Sequence, residues 1–242
     1  MKFYIIYYLL LLSIGLSVNM KKFIYKTKFR SFNVGTTEIT IQNNDLKDQK
    51  IITIDSFSNR WIDLIYKLRH HSTLVVNQDD YSLSMMTQKV QQADYRDSFN
   101  ATVNYDEKII YYENLDNIAS NWKQGSFILP IDGKVYDPFA IIYYLQNIDI
   151  SLNQQYLFNF LSKTNIKSLK LEVIDKEQIS SPYITSLCYL IVPNSAEGQP
   201  LLKHKGEMRI WYTDDASQLP IKIQQKMRHG IMELLLIDYF EE

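Results

Sequence analysis

Asp214 and Asp215 are the adjacent carboxylates that most invite a chemical reading. Two carboxyl groups aimed at one atom can share a proton or hold a divalent cation. Here they fall in Thr213-Asp214-Asp215-Ala216-Ser217, between two alternating stretches. Short Asp side chains in such a place accept from the backbone N–H groups of their own loop, and neighbouring residues rarely direct both carboxylates at one substrate atom. The pair therefore reads as a hairpin loop. A hydrolase of envelope polymers working through Asp214 or Asp215 would need them in a cleft with perturbed pKa values.

The remaining reactive side chains fit chemistry less well. His70-His71 is the only histidine pair. In a strand such neighbours face opposite ways and in a helix they diverge, whereas one metal wants i, i+2 or i, i+4 spacing. His204 and His229 are isolated, and Cys188, the sole cysteine, sits between Leu187 and Tyr189 with no base beside it. No glycine-rich phosphate loop, nucleophile elbow or basic stripe interleaved with aromatics is present. Asn100-Ala101-Thr102 matches a glycosylation sequon, a three-residue pattern that arises readily by chance. The pairs Tyr111-Tyr112, Tyr143-Tyr144 and Trp211-Tyr212 either line a ligand cavity or are plain packing.

Composition sets the frame. With 242 residues, 46% hydrophobic and 22% charged, the chain can bury a core without metal or disulfide, and one cysteine makes no intrachain bridge. A net charge of −1 implies no general attraction to nucleic acid or anionic lipid. Gly (7) and Pro (6) are scarce, so Asn and Asp serve the turns, as at Asn43-Asn44-Asp45 and Asn104-Tyr105-Asp106.

The elements that would position these residues are mostly strands. Ile39 and Ile41 alternate with Glu38, Thr40 and Gln42. Ala101, Val103 and Tyr105 alternate with Asn100, Thr102 and Asn104, and Leu169, Leu171 and Val173 with Lys170 and Glu172. Met208, Ile210 and Tyr212, then Ile221 and Ile223, repeat the pattern. One buried and one wet face is the antiparallel signature. Segments at 50–57, 183–192 and 231–240 are long enough to pair. Two stretches break the rhythm. Asp137-Pro138 is a helix cap with proline at the first position, and Phe139 to Ile148 is apolar almost all round. Trp61, Leu64, Ile65 and Leu68 form a helical stripe starting at Ser58, although Ile62, Leu64, Tyr66 and Leu68 also alternate as a strand would.

At the N-terminus, Met1-Lys2 precedes a run from Phe3 to Val18 without a charge. As a helix it would span roughly 24 Å, short of the ~30 Å hydrocarbon core. Gly15 and Ser17 suit a signal-peptidase site, giving a signal peptide over 1–17. Lys21-Lys22 favours an uncleaved anchor instead, and Met20 is an alternative start.

The end of the chain, Ile210-Trp211-Tyr212-Thr213-Asp214-Asp215 followed by Leu219-Pro220-Ile221-Lys222-Ile223, Gly230 and Met232–Leu236, resembles the signature of an uncharacterised family of exported bacterial domains of unknown function. Gly35, Tyr66-Lys67-Leu68-Arg69 before Ser72, Asp137-Pro138-Phe139-Ala140 and Cys188 before Val192-Pro193 follow in the same order. The resemblance implies a periplasmic or envelope location and a β-rich fold similar to the half-barrels of lipoprotein carriers.

The sequence thus predicts one domain over 28–242 of β-rich α+β class: a curved antiparallel sheet or open half-barrel wrapping one apolar helix. The expected function is non-enzymatic binding of an apolar or amphiphilic ligand, a lipid or lipoprotein acyl chain, between sheet and helix. Phe139, Ile142, Tyr143, Leu145, Tyr111 and Trp211 are the expected ligand-binding residues. The alternative is an envelope interaction module that docks a protein partner and has no internal ligand. No cofactor, metal or nucleic acid is expected, and membrane contact is confined to the N-terminal segment if it stays uncleaved.

Overall fold

The structure, a computed structural model, describes residues 19–44, 47–115, 126–162, 165–196 and 207–242. The signal peptide expected over 1–17, Asp45 and His204 lie outside them. Strands dominate: β1 (Met20–Phe29), β2 (Phe32–Asn44), β3 (Gln49–Ser58), β4 (Leu68–Asn77), β5 (Leu83–Gln92), β6 (Tyr95–Asn104) and β7 (Ile109–Asn114). They continue as β8 (Ser126–Pro130), β9 (Gln155–Ser162), β10 (Asn165–Ser180), β11 (Thr185–Ser195), β12 (Glu207–Thr213), β13 (Pro220–Met227) and β14 (Gly230–Glu241). All belong to one 14-stranded antiparallel sheet in the order β8-β7-β6-β5-β4-β3-β2-β1-β14-β13-β12-β11-β10-β9. Nearly every strand pairs with its sequence neighbour. The exception, β1 with β14, joins the two ends of the meander at its centre. The sheet is not closed: β8 and β9 are its free edges, and between them in sequence lies the helix α2 (Pro138–Tyr144), continued by a 3-10 turn at Leu145–Asn147.

The alternation that marks half-buried strands is realised side chain by side chain. Ile39 and Ile41 on β2, Ile52 and Ile54 on β3, Leu74 and Val76 on β4, and Leu169, Leu171 and Val173 on β10 are buried, while their neighbours are not. The other face carries charge. Lys22 pairs with Glu38 at 2.8 Å and Lys222 with Glu233 at 3.1 Å, both across adjacent strands. A transmembrane barrel needs an apolar outer belt, which this row of ion pairs is not.

The structure adds one strand to the sequence reading and corrects another stretch. Ahead of Lys28, β1 begins at Met20 and is a central strand. Phe23, Tyr25 and Thr27 point into the core while Lys22, Lys26 and Lys28 alternate outward, and those lysines disguise the strand as a charged flank. The Trp61–Leu68 stripe is not a buried helix. It holds only the short turn α1 (Arg60–Asp63), Leu68 opens β4, and Trp61, Leu64 and Ile65 are exposed. The inner side of this connection is polar: Ser58 donates to the Asp63 carboxylate, which also takes the Arg69 guanidinium. That ion pair holds the Asp63 carboxyl down at about 2.

Gly35 is fixed by close approach. It pairs Ser58 on β3 and sits beside the register shift of the β1–β2 pair. A Cβ there would lie 2.3 Å from the Phe57 carbonyl oxygen. Replacing glycine in a strand normally gains a little stability through chain entropy; here overlap with backbone wins. Gly35→Ala is expected to destabilise the protein by about 2–4 kcal/mol, read as an earlier urea midpoint. An unchanged midpoint would remove the steric argument.

Candidate functional site

Helix α2 starts as its sequence dictates. Asp137 accepts from the Phe139 N–H at 2.8 Å, and Pro138 occupies the first turn. Ala140, Ile141, Ile142 and Tyr143 are buried, as is Leu145 beyond them. Three fully buried tyrosines hold the helix against the sheet. Tyr212 of β12 donates to the Ile142 carbonyl at 2.9 Å. Tyr143 donates to the Tyr25 hydroxyl of β1 at 3.2 Å, and Tyr25 passes the chain on to the Pro220 carbonyl at 2.9 Å. Burial pushes all three phenols well up from their ordinary value, so they stay neutral donors. Rings complete the contact: Tyr143 lies 4.7 Å from Phe23 on β1, and Tyr144 lies 6.1 Å from Phe158 on β9 and 5.8 Å from Tyr81.

The fit is incomplete on one side. A cavity of about 130 Å³ lies between Pro138, Phe139 and Ile142 of the helix and Met208, Ile223, Gln225, Met232 and Leu234 of β12, β13 and β14. Gln225 is the one polar wall. A larger recess of about 570 Å³ lies along β3–β6, lined by Asp55, Arg69, His71, Lys89 and Arg96 among others. His71 Nδ1 is 2.7 Å from Asp55, Arg69 is bound to Asp63, and Arg96 donates to the Ala93 and Tyr95 carbonyls, while Lys89 and the buried Asp97 complete the charged lining.

The motif Ile210–Asp215 ends β12 and turns into β13, and Gly230 opens β14, in the order the sequence led one to expect. Residues 24–236 match the family described as a protein of unknown function, DUF3108. The chain belongs to that family. Among curated proteins nothing matches it. Among solved structures, this DUF3108 domain is similar to a β-barrel-like protein of domain of unknown function DUF1849 from Brucella abortus. That likeness has a TM-score of 0.59 and 8% identity, covering 93% of this chain and 98% of the other. A putative lipoprotein from Parabacteroides distasonis covers 91% of the chain and 94% of its own at 12% identity, with a TM-score of 0.31. The first likeness shows a barrel-like β fold; the second carries no argument.

Of the expected ligand-binding residues, Phe139 and Ile142 of the DUF3108 domain line the cavity. Tyr143 and Leu145 are buried in the core beside it. Tyr111 and Trp211 are elsewhere. Tyr111 is exposed on β7 and donates to Glu107. Trp211 alternates with Tyr212, so it faces away from the helix, beneath Lys222 and with its indole N–H on Glu177 at 2.6 Å. An aromatic pair in a strand can send only one ring inward, and the alternation of Met208, Ile210 and Tyr212 puts Trp211 on the other face. Alternation had already marked Met208 and Ile223 as inward residues, but nothing local marked Gln225 or Met232 as walls.

The reactive side chains are structural in this domain. Asp214 binds Lys176 at 2.6 Å, which holds its carboxyl below the ordinary range. Asp215 accepts from the Ser217 N–H at 2.9 Å and the Thr213 hydroxyl at 3.1 Å, as a hairpin loop requires. β4 sends His71 outward and His70 inward, where burial holds its imidazole below the usual range. Burial, and then Asp215 and Asp214, push the Cys188 thiol up to about 12, which leaves it unreactive.

Two outcomes follow from this geometry. Tyr25→Phe strands both the Tyr143 hydroxyl and the Pro220 carbonyl and is expected to cost about 2–4 kcal/mol, whereas Tyr143→Phe leaves Tyr25 paired and costs about 1 kcal/mol. Equal losses in chemical denaturation would break the proposed chain of donors. Asp137 titrates in the opposite sense to most structural carboxylates, because burial raises its pKa to about 6 despite the N–H groups of Phe139 and Ala140. Since the folded value exceeds the unfolded one, its ionisation costs stability above pH 6, and that cost fades as pH falls toward 4. Asp137→Asn keeps the cap acceptor. It is expected to be more stable than the parent at pH 7.5, by up to about 3 kcal/mol, and equal to it near pH 4. A difference independent of pH would refute this.

Proposed function

We propose that this DUF3108 domain is a non-enzymatic protein of the bacterial envelope that binds the apolar part of a lipid or lipoprotein acyl chain between α2 and β12–β14. In this reading the sheet curves around the helix as a half-barrel. Support comes from contacts of one short helical segment with β1, with β12, with the edge strand β9 and with Tyr81 between β4 and β5. The observation that carries the ligand is the apolar cavity itself, placed where Phe139 and Ile142 do not interlock with the sheet.

Size decides what fits. An apolar cavity of about 150 Å³ takes a molecule the size of benzene, so this one suits a short stretch of one chain rather than a whole lipid. Met208 and Met232, both half-buried, are unbranched and adaptable, so the wall can yield to a longer segment. The Gln225 side chain supplies one hydrogen-bonding group for an ester or amide at the chain's head.

Native mass spectrometry of the protein taken gently from a bacterial envelope is expected to show a co-purifying mass that extracts into organic solvent. Met232→Trp, which fills the cavity from a half-buried position, is expected to abolish it. A bare polypeptide, repeated after adding phospholipid, would refute the ligand reading.

A further inference from the structure

The connection between β3 and β4 is built inside out. Two of its polar groups turn toward the protein: Asn59 donates through N to Val34 at 3.0 Å and through Nδ2 to Asn33 at 2.9 Å, and Asp63 takes Arg69. Asp63 N–H bonds the Asn59 carbonyl at 2.9 Å and Tyr66 N–H bonds Ile62 at 2.7 Å, so the turn is held firmly. Its apolar side chains turn outward: Trp61 is 79% exposed, Leu64 79% and Ile65 85%. Phe32, at the start of the adjacent strand β2, is 75% exposed. A turn that merely faces water does the reverse, presenting Asn, Asp and Ser outward.

These side chains share one rim. The β1–β2, β3–β4 and β13–β14 turns are neighbours in the sheet order. Besides the Asn59–Asn33 bond, Arg30 N–H bonds the Ile231 carbonyl at 2.9 Å and Arg30 Nε the His229 carbonyl at 2.6 Å. Within the connections 30–31, 59–67 and 228–229 the cations are Arg30, Arg60, Lys67 and Arg228, all exposed, and the one acid is Asp63, already paired.

We infer that this rim docks on an anionic lipid bilayer. Trp61, Leu64, Ile65 and Phe32 enter the boundary between headgroups and acyl chains, and Arg30, Arg60, Lys67 and Arg228 meet the phosphates. Exposed Trp with Leu and Ile, ringed by Arg and Lys, is the composition of interfacial membrane anchors. Protein interfaces also enrich Trp, Phe and Arg; four exposed cations against one acid already paired are what favours an anionic surface. The sequence confined membrane contact to the N-terminal segment; the rim is a second contact, and it stands whether or not the cavity takes a ligand.

The test reconstitutes the full chain on vesicles of equal parts phosphatidylethanolamine and phosphatidylglycerol, with and without acyl-brominated lipid, which quenches indoles at the acyl boundary. Tryptophan emission is expected to be quenched, and the quenched component to vanish in Trp61→Phe. Leu64→Ser with Ile65→Ser is expected to remove that component. Arg60→Gln, Lys67→Gln and Arg228→Gln together are expected to weaken rim docking by about a hundredfold, at roughly fivefold per charge. All these side chains are exposed, so unfolding midpoints should stay at the parent value. Quenching that survives unchanged in Trp61→Phe overturns the inference, because the N-terminal segment alone would then explain binding. So does an unquenched Trp61 that instead crosslinks to one envelope protein, which would make the rim a protein interface.

Discussion

Three phenol hydroxyls set the position of the helix. Tyr25, Tyr143 and Tyr212 are among the largest fully buried side chains, and none can be buried without a partner, since an orphaned hydroxyl costs about 1–3 kcal/mol. The solution couples strand to helix: Tyr212 reaches a helix carbonyl, and Tyr143 and Tyr25 share one line of donors that ends at Pro220. Apolar contacts alone would let a seven-residue helix slide along the sheet. The hydroxyls permit one register, and every contact of α2 with the strands follows from it.

That constraint matters because the sheet is open. With β1 and β14 paired at its centre, the two ends of the meander are locked together and the free edges fall between β8 and β9. The chain leaves the sheet at that point to build α2. Its extended approach is tied to β5, where Val135 accepts from the Leu83 N–H, and to the β9 edge, where Tyr136 exchanges hydrogen bonds with Asn159 and Leu161. An exposed edge is a template for unwanted pairing, and here one edge strand is partly occupied by the segment that delivers the helix. The buried Asp137 at the end of this segment ties cap, helix and edge into one unit.

Much of this was legible where each residue obeys one face. The alternations at Ile39–Ile41, Leu169–Val173, Met208–Tyr212 and Ile221–Ile223 all became strands, and Asp137-Pro138 became a cap and first turn. Legibility failed where something local masks the period. Lysines fill the outward row of β1 and hid a central strand. The β4–β5 register shift between Val75 and Val76 breaks the pattern of Met85-Met86. Trp211 was expected at the ligand although the alternation of Met208, Ile210 and Tyr212 put it on the opposite face, and it is Tyr212 that meets the helix. The Trp61–Leu68 stripe misled for another reason: its apolar residues have no core to face, and a pattern that ordinarily signals burial instead marks exposure.

Cavity and rim also meet through the sheet. Met232 of the cavity follows Ile231, whose carbonyl takes the Arg30 N–H of the rim. On β1 to β6 the inward rows change character toward that end, from Phe23, Ile39, Ile54 and Leu74 to Thr27, Thr37, Ser56, His70 and Asp97. Thr37 bonds Ser56 at 3.0 Å there and Thr27 lies 3.3 Å from Thr37, so these three hydroxyls are paired among themselves, while His70 Nε2 is buried without a hydrogen-bond partner. An apolar chain entering past those strands would have to break into a hydrogen-bonded lining. On β12 and β14 the inward residues nearest the same end are Met208 and Met232, with Gln225 of β13 the one polar side chain between them. If the domain exchanges an acyl chain with a bilayer at its rim, the path of least desolvation runs along β12–β14, and that is where the helix leaves its gap.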